Sequence, residues 1–101
     1  MKERSVRFAA IAQRHVKREK TWWLQNRAST DVFATEVEEA LRILAIFPGV
    51  GTPYKEAGVS GLRRLYLRQI DCHLYYTFDE REVIVRALWG ARRRRGPRIK
   101  A

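Results

Sequence analysis

LRRLYLRQIDCHLYYTFDEREVIVRALW, residues 62–89, contains three short segments in which apolar and polar side chains alternate. In the first, Leu65 and Leu67 alternate with Arg64, Tyr66 and Arg68; in the second, Leu74, Tyr76 and Phe78 alternate with His73, Tyr75 and Thr77. A period of two is typical of strands with one buried face, and the β-branched residues of 83–89 indicate a third strand. The stretches 69–72 and 79–82 are short enough for hairpin connections. This region therefore predicts an antiparallel meander.

Two amphipathic helices are predicted on the N-terminal side of the meander. From Ala9 to Asn26 the apolar residues recur at helical spacing. Ser29, Thr30 and Asp31 offer N-cap groups for a second helix, which ends before Pro48. Residues 6–8 are a candidate edge strand, and the PGVGTP sequence of residues 48–53 predicts a turn-rich connection.

The order of these elements predicts an α+β fold, β-α-α-β-β-β, with two helices packed on one side of an antiparallel sheet. The residues expected to face the helices are Leu65, Leu67, Leu74, Tyr76 and Phe78. Because 101 residues have room for one core, we expect residues 1–101 to form a single domain with a basic C-terminal tail from about residue 92.

The charge of the chain predicts an acidic partner. Lys and Arg number 21 against 11 Asp and Glu, a formal net charge of +10. Arginine binds phosphate and carboxylate equally well, so nucleic acid and an acidic protein both remain open. The densest charge is the run Arg92, Arg93, Arg94 and Arg95 in the tail.

Several classes of site are excluded by the sequence. Cys72 is the single cysteine, which excludes an internal disulfide and a cysteine-based zinc site. The sequence begins without an apolar signal segment and has no run long enough for a membrane span, so a cytoplasmic location without membrane contact is expected. No phosphate-binding loop, dinucleotide fingerprint or metal-ligand cluster is present, and we therefore expect no cofactor and no metal.

The face of the predicted sheet opposite the helices is the candidate binding site. It collects Arg64, Tyr66, Arg68, His73, Tyr75 and Arg86, with Arg92, Arg93, Arg94 and Arg95 at its end. Cations interleaved with aromatic rings suit RNA or single-stranded nucleic acid; a solvated sheet face is the alternative. The absence of a carboxylate from these positions favours an anionic ligand.

Three further aromatic side chains lie on the first predicted helix. Trp22 and Trp23 are adjacent, so one can enter the core while the other lies near the surface. His15 is a helix residue with no evident task, whereas His73 on the polar face could exchange protons near neutral pH.

Five local motifs, in this order, resemble the RelE/ParE family of bacterial toxins from type II toxin-antitoxin systems of the plasmid-stabilisation type. They are WWLQNR at 22–27, FPGVG at 47–51, LRRL at 62–65, HLYY at 73–76 and ALWGARRRRGP at 87–97. The resemblance covers nearly the whole chain. It implies a growth-inhibiting toxin that is neutralised by a cognate acidic antitoxin, and it leaves both a homodimer and a toxin-antitoxin hetero-oligomer open.

The family divides by target: RelE-like members cut messenger RNA in the ribosome, and ParE-like members poison DNA gyrase. By position, Arg64, Arg68, His73 and Arg92 resemble the cationic catalytic set of the ribonucleases. However, Tyr66 stands where those enzymes tend to carry a second lysine, and Arg98 lies near where they place a tyrosine.

Arginine remains protonated at any working pH and cannot replace a catalytic base, which leaves only His73, Tyr66 or Tyr75 for that role. The resemblance therefore favours a ParE-like toxin that acts on gyrase and is not an enzyme. A RelE-like ribosome-dependent mRNA endoribonuclease is the first alternative, and a non-catalytic nucleic-acid-binding module is the second.

Overall fold

The computed structural model describes residues 3–27, 31–56 and 58–99. The elements are β1 (Ser5–Phe8), α1 (Ala10–Asn26), α2 (Asp31–Ile46), a short 3-10 helix (Pro48–Val50), β2 (Thr52–Pro53), β3 (Arg63–Leu67), β4 (Cys72–Phe78) and β5 (Glu82–Gly90). Both predicted helices and the three predicted strands are therefore confirmed. The predicted N-cap residues Ser29 and Thr30 lie outside the described residues. None of the helices described has the length and apolar character needed to cross a membrane.

The five strands form one sheet in the order β1-β5-β4-β3-β2. Strands β3, β4 and β5 form the predicted antiparallel meander. The predicted fold, two helices packed on the sheet, is confirmed, but the sheet is mixed rather than antiparallel, because β1 pairs in parallel with β5, from Ser5 opposite Glu82 to Phe8 opposite Val85. Parallel pairing needs a long connection between the two strands, and here the helices and the meander provide it. β2 is a two-residue edge strand within the predicted connection, where Pro53 is tolerated.

The main core lies between the helices and one face of the sheet. Buried side chains of α2 meet buried strand residues there: Phe33, Val37, Ala40 and Leu44 pack with Leu67, Leu74, Tyr76, Val83, Val85 and Leu88. Leu65 is partly buried against this core. Phe78, which was expected in the core, is 37% exposed at the end of β4, where the guanidinium carbon of Arg4 lies 5.6 Å from the ring centroid.

A bulge in the sheet separates the two central tyrosines. Tyr75 is opposite Ala87 and Tyr76 is opposite Val85, so Arg86 is the extra residue on β5. Tyr76 enters the main core, whereas Tyr75 belongs to a second buried cluster with Leu62, Ala87 and Ile99. The chain after β5 folds back to form this cluster. The sheet face that was expected to be open is therefore partly covered.

Candidate functional site

A groove of about 700 Å³ lies between the C-terminal half of α1, the turn that joins β3 to β4, and the chain at the end of β5. Its lining residues are Arg18, Glu19, Trp22, Trp23, Arg27, Tyr66, Arg68, Gln69, Ile70, Asp71, Gly90, Arg92 and Arg93. Five arginines and two carboxylates thus meet here. We call this site the arginine groove.

Asp71 connects two walls of the arginine groove. It occupies a left-handed conformation (φ 51°) in the β3–β4 turn, a position that aspartate tolerates. Its Oδ1 accepts a hydrogen bond from the Tyr66 hydroxyl at 2.6 Å, and its Oδ2 accepts one from Nε of Arg92 at 2.9 Å. The backbone oxygen of Asp71 also accepts from the amide of Ala91 at 2.8 Å. The predicted positions themselves include no carboxylate, but the turn brings Asp71 to two of them.

The contact with Asp71 also fixes the protonation state of Tyr66. The hydrogen bond to the carboxylate raises the pKa of the Tyr66 phenol, and burial contributes a smaller rise. The phenol therefore remains protonated at neutral pH and acts as a hydrogen-bond donor.

Glu19 is the second carboxylate of the arginine groove, and it is buried. Its Oε2 accepts a hydrogen bond from Nη2 of Arg93 at 3.3 Å and lies 3.8 Å from Nε of Arg18. Its Oε1 is 3.8 Å from Sγ of Cys72. Burial, followed by the charge of Glu19, raises the pKa of the Cys72 thiol to about 12, so this cysteine is not a nucleophile at neutral pH.

The α1 wall of the arginine groove is aromatic. Trp23 is partly buried against the main core, and Trp22 is 44% exposed, which confirms the division predicted for this pair. Their ring centroids are 6.2 Å apart with the planes at 73°. The guanidinium carbon of Arg27 lies 5.3 Å from the Trp22 centroid and 5.6 Å from the Trp23 centroid.

The opposite wall carries the predicted cations Arg68 and Arg92. Both are exposed, and the Arg92 side chain retains 82% of its accessible surface although it pairs with Asp71. Within the part of the chain that the structure describes, Arg68 forms no ion pair. Arg68 is thus a cation available to a ligand.

The remaining predicted residues of the sheet lie outside the arginine groove. Along this face the ring centroids of Tyr66 and His73 are 5.2 Å apart, and those of His73 and Tyr75 are 6.2 Å apart. Burial, followed by the charge of Arg64, lowers the pKa of His73, so its imidazole is neutral at pH 7. Nε of Arg86 donates to Oγ1 of Thr77 at 3.0 Å.

The expectation that Tyr75 would be available to a ligand was wrong. Tyr75 is 2% exposed because Ile99 of the returning tail and Leu62 pack against it. Its ring also contacts Tyr54 edge to face at a centroid distance of 5.1 Å, and the guanidinium carbon of Arg64 lies 4.9 Å from the Tyr54 centroid. The alternation in β4 placed Tyr75 on the correct face but carried no information about what covers that face.

Trp89 anchors the basic tail. Its Nε1 donates to the backbone oxygen of Arg95 at 2.6 Å. The guanidinium carbons of Arg18 and Arg93 lie 4.7 Å and 4.4 Å from the Trp89 ring centroid. Arg94 and Arg95 are exposed and do not line the arginine groove, whereas Arg93 does.

His15 also has a structural role that the sequence did not predict. It is buried, its ring contacts Trp89 at a centroid distance of 5.2 Å, and its Nδ1 accepts a hydrogen bond from the amide of Leu88 at 3.3 Å. Burial, together with the nearby Arg18 and Arg93 charges, lowers the pKa of His15 to about 4.

The comparisons with known proteins agree with this fold. The family model described as the ParE toxin of the type II toxin-antitoxin system parDE matches residues 6–95. A search of curated proteins finds no significant match.

Three solved structures with similar folds come from toxin-antitoxin systems. A chain of the chromosomal ParDE system from P. aeruginosa has a TM-score of 0.67 at 12% identity, and the match covers 87% of this chain and 96% of that one. A chain of the RelBE2 toxin-antitoxin complex from Mycobacterium tuberculosis has a TM-score of 0.64 at 23% identity, and the match covers 90% of this chain and 95% of that one. A chain of the E. coli DinJ-YafQ toxin-antitoxin complex has a TM-score of 0.60 at 12% identity, and the match covers 87% of this chain and 92% of that one. These structures share the fold, and the family match, which spans most of the sequence, shows that the chain belongs to the ParE toxins of type II toxin-antitoxin systems.

Proposed function

We propose that this toxin inhibits bacterial growth by poisoning DNA gyrase and does not cleave RNA. The family match to ParE favours gyrase as the target, and the observation that carries the absence of RNA cleavage is the hydrogen bond from Tyr66 to Asp71. This bond engages the phenol, and Arg92 pairs with the same carboxylate although its side chain stays open to solvent.

Ribonuclease chemistry needs a group that removes a proton from the ribose hydroxyl and another that protonates the leaving oxygen. The arginines of the groove remain protonated and cannot act as the base. Tyr66 has a raised pKa and donates a hydrogen bond to Asp71. His73 is neutral, but its ring lies between those of Tyr66 and Tyr75, tilted to the first and edge-on to the second, and does not line the groove. These properties support binding rather than proton transfer, and the family match to ParE favours the same choice.

The partner that neutralises the toxin is a cognate acidic antitoxin. The net charge of +10 and the excess of arginine over carboxylate in the arginine groove both favour an acidic segment. The RelBE2 and DinJ-YafQ structures are toxin-antitoxin complexes, which supports the same arrangement here. Since gyrase acts on the chromosome, the proposed site of action is the cytoplasm.

Induced expression in a bacterial host tests the proposal. We expect growth arrest with filamentous cells, a DNA-damage response and loss of plasmid supercoiling. Co-expression of the acidic protein encoded beside the toxin should restore growth. Cleaved messages with an immediate stop in translation would instead support the ribosome-dependent nuclease, and normal growth at high levels of folded protein would contradict both activities.

A further inference from the structure

We propose that the solvent-facing side of α1 binds the phosphate backbone of duplex DNA through Arg14, Lys17 and Lys20. This surface is separate from the arginine groove, because none of these three residues lines that groove. Gyrase poisoning does not require the contact, and the binding can be measured with DNA alone. The inference can therefore hold or fail independently of the proposed target.

The two helices of the fold carry opposite charges. The one acidic residue of α1, Glu19, is buried, whereas all of its basic residues are exposed: Arg14, Lys17, Arg18 and Lys20. By contrast, α2 has one basic residue, Arg42, and four acidic residues: Asp31, Glu36, Glu38 and Glu39. The charged groups on the exposed side of α1 are therefore all cations, whereas those of α2 are mostly carboxylates.

The cations of α1 are not placed to stabilise their own helix. The first turn of α1 has no acidic residue and the last turn has no basic residue, so no side-chain charge is placed to favour the helix dipole. Like charges also lie three or four positions apart, a spacing at which they repel: Arg14 and Lys17, Arg14 and Arg18, and Lys17 and Lys20. α2 shows the stabilising arrangement, with an acidic residue in its first turn. The charges of α1 are thus better explained by an external anion than by helix stability.

Three of the four cations are unpaired among the described residues. Arg18 is engaged, because its Nε lies 3.8 Å from Oε2 of Glu19. Within the part of the chain that the structure describes, Arg14, Lys17 and Lys20 form no ion pair. Their charges are therefore available to a ligand.

The three free cations lie in one row. Arg14, Lys17 and Lys20 recur at every third position, a spacing that aligns side chains along an oblique ridge of a helix. Neighbours in the row are about 4.5 Å apart along the helix axis, and successive phosphates of one DNA strand are about 3.4 Å apart along the duplex axis. The flexible stems of these side chains can adjust for the difference. Each cation can therefore reach a separate phosphate.

Other anionic partners fit this surface less well. A membrane would need an apolar helix face, but the apolar side of α1 packs against the main core through Ala12, Val16 and Trp23. A single strand would need rings on which its bases can stack, but the exposed ring of Trp22 already has the Arg27 guanidinium carbon 5.3 Å from its centroid. Lysine is depleted from protein interfaces, and two of the three free cations are lysines. Duplex DNA is the partner that this surface favours.

Fluorescence anisotropy with the purified full chain tests this proposal in the absence of gyrase. The probes are a labelled DNA duplex of about 20 base pairs, roughly two helical turns, and the single strand of the same sequence. Each is titrated at several salt concentrations between about 50 and 200 mM. We expect the duplex to bind more tightly than the single strand. A second duplex of unrelated sequence should bind about as tightly as the first, because phosphate contacts carry no sequence information.

A triple variant locates the contact on α1. Arg14→Gln, Lys17→Gln and Lys20→Gln together should weaken duplex binding at least about tenfold. They should also reduce the slope of log affinity against log salt by about 2.7, since each phosphate contact contributes about 0.9. The free energy of unfolding in urea should not fall, because the change removes like-charge repulsion and glutamine has a helix propensity close to those of lysine and arginine.

A second triple variant is the matched control. Arg81→Gln, Arg94→Gln and Arg95→Gln together remove the same charge from exposed positions outside α1, and two of these positions belong to the basic tail. This variant should change the affinity for the duplex less than about threefold. The comparison therefore separates a contact made by α1 from a general effect of net charge and from a contact made by the tail.

Any of four results would overturn the proposal. The first is the absence of duplex binding at about 50 mM salt, and α1-dependent binding of a polyglutamate peptide in that case would assign the surface to an acidic protein segment. The second is tighter binding of the single strand than of the duplex. The third is unchanged affinity in the folded α1 variant. The fourth is a larger loss of affinity in the control than in the α1 variant, which would assign the DNA contact to the tail.

Discussion

Nδ1 of His15 accepts a hydrogen bond from the backbone amide of Leu88 at 3.3 Å. This bond satisfies an amide of β5 that lies beyond the residues paired with β1. β1 pairs with residues 82–85 only, so the following residues of β5 pair with β4 on one side and have no strand on the other. α1 lies along this stretch, and a side chain on it supplies the missing acceptor. The bond requires a neutral imidazole that carries its proton on Nε2.

This contact predicts a loss of stability in mild acid. The pKa of His15 is about 4 in the folded chain, against an ordinary value of 6.5. Between these two values the unfolded chain binds a proton that the folded chain does not, so the free energy of unfolding should fall as the pH is lowered through this window. Above about pH 7 the titration of His15 should no longer change the free energy of unfolding. Urea unfolding at several pH values measures the slope.

His15→Asn is the control for that prediction, since its Oδ1 can accept from Leu88 and does not titrate. The variant should show a flatter dependence of stability on pH between about pH 4 and 6.5. An equal slope in the variant and the parent chain would show that other groups cause the acid sensitivity.

Tyr76 predicts a second stability effect. Its buried hydroxyl donates to the backbone oxygen of Pro48 at 2.6 Å and accepts from the amide of Gly51 at 2.8 Å. Tyr76→Phe would leave both backbone groups without a partner, and we expect the free energy of unfolding to fall by about 2 kcal/mol. Tyr66→Phe removes the same atom at an exposed position and should change stability much less. Chemical denaturation of both variants gives the comparison, and equal effects would contradict the assignment.

The sequence was sufficient to predict much of the fold. The period of two in residues 62–89 located the three meander strands, and helical spacing located both helices, because these patterns report which side chains face a core. The parallel pairing of β1 with β5 was not predictable in this way. Such pairing depends on contacts between distant parts of the chain, and a four-residue strand carries no signal for its partner.

The candidate site was predicted less completely. Arg68, Tyr66, Arg92 and Arg93 do meet in the arginine groove, but Arg64, His73 and Arg86 lie on the sheet outside it. Strand alternation assigns a residue to a face and does not show that Ile99 folds back over Tyr75. Asp71 and Glu19 were missed because one lies in a turn and the other on a helix, where no pattern linked them to the strand cations.

Trp89 should control how firmly the tail is held. Trp89→Phe keeps a ring but removes the Nε1–H group that bonds the backbone oxygen of Arg95. Loss of this bond, about 1 kcal/mol, should raise the rate of trypsin cleavage at Arg95 and Arg98 roughly fivefold. Trp22→Phe changes a tryptophan that does not bond the backbone oxygen of Arg95 and should leave the rate unchanged. Equal cleavage rates in all three proteins would show that other contacts hold the tail.

The predicted basic residues should be needed for toxicity. Simultaneous replacement of Arg64, Arg68 and Arg92 by Ala should abolish growth arrest while the protein remains folded. A second triple variant, Arg14, Arg42 and Arg81 to Ala, removes the same charge from exposed positions that do not line the arginine groove, and it should remain toxic. Colony counts after induction provide the measurement. Full toxicity of the first variant would show that its arginines form only a solvated surface.

Antitoxin affinity should respond differently from toxicity in the first triple variant. Contacts with arginine contribute to binding and are screened by salt, whereas apolar contacts are not. We therefore expect the affinity measured by calorimetry to fall only partly and to depend less on salt than that of the parent toxin. Complete loss of binding would mean that the arginines provide nearly all of the recognition.

A supercoiling assay with purified gyrase, relaxed plasmid DNA and ATP tests the central claim most directly. The account predicts that the toxin reduces supercoiling and causes cleaved plasmid DNA to accumulate, and that addition of the cognate antitoxin prevents both effects. Unimpaired supercoiling in the presence of excess toxin, together with codon-positioned cleavage of messenger RNA when the toxin is added to translating ribosomes, would contradict it.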